Sequence, residues 1–67
     1  MSVYVLFHDV QYEGWDLLGV YSSLERAQEA GRAYSEAQDA YVVVVERQLD
    51  GAVSDPLWEE TVWEHGA

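Results

Sequence analysis

The stretch Ser2-Val3-Tyr4-Val5-Leu6-Phe7-His8-Asp9-Val10 decides the fold. Val3, Val5 and Phe7 alternate with Tyr4, Leu6 and His8, as side chains on the two faces of a strand do, and both sets are largely apolar. A second run, Tyr41-Val42-Val43-Val44-Val45, has no polar face at all. Runs of this kind belong to strands buried on both sides, so these two are expected in the middle of a sheet. The sequence supplies a single helix, and one helix covers one face. The second apolar face needs another cover, for which a second copy of the chain or a partner protein is the plainest candidate.

Around these two runs the punctuation is regular. A polar loop from Gln11 to Asp16 leads to a second strand, Leu17 to Tyr21, with Gly19 where a bulge or a close backbone approach would sit. Ser22 and Glu25 have capping-box spacing, which predicts a helix from Ser23 to about Gln38. Leu24, Ala27, Ala30, Gly31 and Tyr34 fall on one helical face, and most are small, so the helix lies close to the sheet. A glycine at position 31 costs about 1 kcal/mol relative to alanine, and close helix-to-sheet packing is the compensating reason. The third strand, Tyr41 to Leu49, ends at the turn dipeptide Asp50-Gly51. A fourth, Leu57 to Trp63, places Trp58, Glu60 and Val62 on one face and Leu57, Glu59, Thr61 and Trp63 on the other. The expected architecture is a single α+β domain over residues 1–67, in the order β-β-α-β-β. Its sheet is mostly antiparallel, with the first and third strands central and one helix packed on one face.

Charge narrows the partners. Thirteen carboxylates face three arginines, for a formal net charge of −10, and the field of such a body repels phosphate backbones and anionic membranes. Direct nucleic-acid or membrane binding is therefore disfavoured and a basic protein favoured. From Gln48 onward the chain carries Asp50, Asp55, Glu59, Glu60 and Glu64 with no cation. Absence of cysteine excludes disulfides and thiol chemistry. At 67 residues a single core is marginal, and oligomerisation is a common support. No apolar stretch approaches the length of a membrane span and no leader pattern opens the chain, so a soluble cytoplasmic protein is expected.

Polar candidates for chemistry gather around the first hairpin: His8, Asp9, Glu13 and Asp16. Imidazole with carboxylates is a metal-binding or general-base combination, but metal sites gather three or four ligands and the body of the chain offers one nitrogen donor. His8 is read instead as fixing the hairpin through a hydrogen bond to a loop carboxylate or to backbone. His65 lies near a terminus expected to fray. Ser22 and Ser23 are capping residues, and Glu59 and Glu60 point to opposite faces of an extended segment. No catalytic, cofactor-binding or metal-binding residue is assigned, and no cofactor. Aromatic residues are the remaining resource. Tyr4, Trp15, Tyr41, Trp58 and Trp63, with Leu6, Glu59 and Glu60, form the expected interface on the uncovered face or its rim.

Three stretches carry a family resemblance: Tyr4-Val5-Leu6-Phe7-His8; Tyr12-Glu13-Gly14-Trp15-Asp16 with Leu18-Gly19-Val20-Tyr21-Ser22-Ser23; and Val45-Glu46-Arg47-Gln48-Leu49-Asp50 followed by Trp58-Glu59-Glu60. Together they resemble a family of small bacterial and phage domains of unknown function, whose members share a strand with a histidine and an acidic-glycine loop. A Gly-Val-Tyr-Ser-Ser turn into an alanine-rich helix and an acidic last strand complete the pattern. Thr61 and Val62 depart from it, standing where a glycine and an aromatic usually follow, and the link from helix to third strand is short. The resemblance implies the fold and a bacterial or phage setting, and no reaction.

The functional expectation is a non-enzymatic protein-protein interaction module, homodimeric through the open sheet face. Its alternatives are an antagonist, immunity-type or nucleic-acid-mimic protein that masks a basic partner, and a small metal- or ligand-binding enzyme around His8.

Overall fold

The structure, a computed structural model, describes residues 2–10, 13–49 and 61–66. Its elements are β1 (Ser2–Val10), β2 (Gly14–Tyr21), α1 (Leu24–Gln38), β3 (Val42–Gln48) and β4 (Thr61–His65). The four strands form one sheet in the order β2-β1-β3-β4, and each neighbouring pair is antiparallel. The two most apolar strands are central, as their sequences imply. Because β2 and β3 both run antiparallel to β1, they are parallel to each other, and a link between parallel strands must cross a face of the sheet. α1 is that crossover.

The helix begins one residue later than the capping-box reading places it. Ser23 is the N-cap, in an extended conformation, and its Oγ accepts from the Arg26 backbone N–H at 3.3 Å. Three residues beyond this cap stands Arg26, so the glutamate half of a capping box has no place. Glu25 instead sits in the first turn, where a negative charge complements the helix dipole. At the other end Asp39 adopts the left-handed conformation and its N–H reaches the Ser35 carbonyl. The buried Ser35 Oγ donates to the Ala40 carbonyl at 2.6 Å, which seals the turn into β3.

Leu6, Ala27, Val42 and Val44 form the core between helix and sheet, with Tyr4, Leu18, Tyr21, Leu24, Ala30, Tyr34 and Trp63 packed against it. The small residues of the helix face allow the close approach expected of them. A Cβ on Gly31 would stand 2.8 Å from the Trp63 ring and 3.1 Å from Leu6 Cδ1. Packing at this distance accounts for a mid-helix glycine despite its helix cost.

Two strands differ from their sequence reading. β2 starts at Gly14 and not at Leu17, because Trp15 and Asp16 pair with Asp9 and His8 of β1, which shortens the loop. The register slips between Leu6 and Phe7, whose partners are Gly19 and Leu17. Leu18 is therefore the extra residue of a β-bulge, at the place Gly19 pointed to, and the Tyr21 ring lies over Gly19. In β4, Trp63 pairs with Val44 and Thr61 with Val45, so a second bulge at Val62 separates two residues that simple alternation puts together. The earlier part of the expected fourth strand, 57–60, lies outside the described residues. His65, expected near a frayed end, pairs with Val42 and stacks on Trp63 at 5.5 Å with the rings 6° apart.

Candidate functional site

The four polar residues around the first hairpin do not converge. His8 and Asp16 face each other across β1 and β2, on the helix side, where the His8 ring lies 5.6 Å from that of Tyr34. Tyr34 Oη is 3.5 Å from His8 Nδ1, so the histidine meets the helix and not a loop group. Asp9 alternates to the opposite face and Glu13 sits in the turn, its N–H bonded to the Val10 carbonyl. Among the described residues no group of three or more His, Cys, Asp or Glu side chains is placed to hold a metal ion.

The face away from the helix is built by the other alternation. Val5 is flanked by Val20 and Val45, and Phe7 by Leu17 and Val43. Trp15 closes the row, its ring 5.2 Å from Phe7. Exposure on this face is uneven. Val43 and Val45 in the central strand are 3% and 0% exposed, whereas Leu17 and Val20 on β2 are 61% and 57% exposed. The expectation of an apolar face open across its width is thus corrected: the centre is closed, and the exposed large apolar side chains placed on this face lie at β2.

This placement sorts the expected interface residues. Leu6 lies in the core under the helix, and Tyr4 and Trp63 pack on that core, because even-numbered positions of β1 and the bulge-shifted Trp63 turn toward α1. These three belong to the covered face. Trp15 remains on the uncovered face. Tyr41 is half-buried at the end of that face, where its carbonyl accepts from the Asp9 N–H at 3.0 Å. Burial, then a hydrogen bond to Glu64 and the charges of Glu64 and Asp9, push its phenol up to about 12. Trp58, Glu59 and Glu60 lie outside the described residues, as do Asp50 and Asp55. Leu17 and Val20, the most exposed apolar pair of β2, are missing from the sequence-based set. Period-two alternation assigns residues three apart to opposite faces, and only the bulge at Leu18 brings both to the same one.

Arg32 lies over the Trp63 ring, 5.5 Å from its centroid, and the Tyr4 hydroxyl reaches Glu46 at 3.5 Å. Both contacts tie the covered side together. Among the described residues no helix is long and apolar enough to cross a membrane.

Residues 1–51 match the family described as a domain of unknown function, DUF7336, and the chain belongs to it. No curated protein and no solved structure matches the chain.

Proposed function

We propose that this DUF7336 member is a non-enzymatic protein-protein interaction module that forms a homodimer, in the cytoplasm, through the exposed apolar rim at β2 of the sheet face away from its helix. The observation that carries the reading is the exposure of Leu17 and Val20, side by side with the half-buried Trp15, Phe7 and Val5. An apolar patch left in water by so small a domain marks a contact surface. A chain of this length gains the burial it lacks by associating.

A second reading is favoured by the net charge of −10: masking of a basic protein by the acidic surface. Salt separates the two. Bodies of like charge repel, and screening over about 8 Å at physiological ionic strength relieves that repulsion, so self-association strengthens as salt rises. Capture of a basic partner weakens under the same change. Sedimentation equilibrium of the purified chain over a salt series reads the sign directly. A dimer that loosens as salt rises, or no dimer at any salt, contradicts the homodimer reading.

A further inference from the structure

Building on the homodimer reading, we infer that the dimer forms edge to edge: β2 of one copy pairs antiparallel with β2 of a second, joining two four-stranded sheets into one of eight. Among the described residues β2 is a terminal strand, so one side of its backbone carries N–H and C=O groups that no described strand pairs with, a ready template for another strand. Soluble proteins blunt such edges with lysine, proline, inward charges or short length. β2 uses little of this. Its eight residues, Gly14 to Tyr21, contain no lysine, arginine or proline and one charge, Asp16. β4, the other terminal strand, has five residues, with Glu64 and His65 among them. Each terminal strand carries a bulge, so that device does not distinguish them.

Charge selects the occupant. Two chains of −10 meet with least repulsion where each is least acidic and where their acidic parts stay farthest apart. β2 and β4 are separated by three strand spacings, roughly 14 Å, which exceeds the screening length of about 8 Å. Pairing through β2 keeps Glu64 at the outer ends of the joined sheet. The edge itself offers a basic strand one carboxylate and an apolar strand two large exposed side chains, Leu17 and Val20. The chemistry that fits it is an apolar, nearly neutral strand, and β2 is such a strand. A two-fold axis perpendicular to the sheet then sets both helices on one side. On the other, Leu17 and Val20 of the two copies run together as a continuous apolar strip, with apolar cross-strand pairs.

The chain has no cysteine, so a single introduced one carries a unique spin label. With Glu64→Cys labelled on the exposed side of β4, edge pairing sets the two β4 strands seven spacings apart, roughly 34 Å. Face-to-face stacking at about 10 Å brings them to within roughly 17 Å. The expected result is a dimer with the long label distance, together with a Val20→Lys variant that keeps its helical and strand circular dichroism while its dimer Kd rises about tenfold or more. A dimer with the short distance, or one that tolerates Val20→Lys, overturns the edge-to-edge assembly and leaves the interaction-module reading standing. A chain that stays monomeric before any substitution overturns both.

Discussion

On the helix side of the sheet, Leu6, Val42 and Val44 cluster with Ala27, and Gly31 lies so close to Leu6 and Trp63 that a methyl group there has no room. On the other side, Phe7, Val5 and Val20 are residues of the same kind with no described element across from them. What differs is how each side disposes of its apolar surface. The covered side relies on shape, with a glycine and alanines admitting the sheet. The second side closes only at its centre, where Val43 and Val45 are shut from water, and leaves Leu17 and Val20 exposed at the rim. The close packing therefore resides on one face, and the proposed contact surface on the edge of the other.

The sharpest contrast comes from trimming a leucine on each side. Leu6→Ala opens a cavity in a filled core and is expected to cost about 2–5 kcal/mol, the range for buried leucines. Leu17→Ala removes an exposed side chain and should leave the monomer within about 0.5 kcal/mol, while weakening self-association. Urea unfolding of both variants at a dilution that keeps them monomeric checks this. Equal costs would erase the distinction between the faces.

Gly31→Ala tests the close approach itself. Helix propensity favours alanine by about 1 kcal/mol, but the new methyl meets an aromatic ring at 2.8 Å. Overpacking of this kind typically costs about 1–3 kcal/mol. The expected outcome is a net loss of stability on thermal melting. A more stable variant would show that the helix sits on the sheet with slack.

A smaller effect is expected from Tyr41, at the polar end of the uncovered face. Its phenol ionises at about 12 when folded, from a usual 10.0. The folded state thus holds a proton that the unfolded chain releases first, so the stabilisation is complete below pH 10 and lost as pH rises through 12. Tyr41→Phe should flatten the alkaline part of the stability curve in that window, read by denaturant melts at stepped pH. An unchanged curve would place the tyrosine in water, away from Glu64.

Much of the fold is written in patterns that act locally. The apolar runs at β1 and β3 specify central strands whatever surrounds them, and Gly31 amid alanines announces a close helix. The edges resist such reading because bulges reset the phase. At Leu18 and at Val62 one extra residue turns the strand over; Gly19 flags the neighbourhood of the first slip without saying which residue is the extra one, and no glycine flags the second. Hence Trp63, grouped by alternation with Thr61, turns to the helix, and Leu17 and Val20, separated by alternation, share a face. The cap illustrates a finer limit: Ser22 and Ser23 both suit an N-cap, and the backbone angle that chooses between them depends on where the Tyr21 strand ends. His8 reads as a hairpin residue because Asp16 is near it in the chain, whereas Tyr34, its ring neighbour on the helix, is 26 positions away.

The claim that the uncovered rim is a self-association surface rests most directly on the mass of the unmodified chain in solution. Light scattering across rising concentration into the high micromolar range, at physiological salt, is predicted to approach about 15 kDa, a closed two-fold pair of 7.6 kDa chains. A mass that holds at 7.6 kDa throughout would contradict the account.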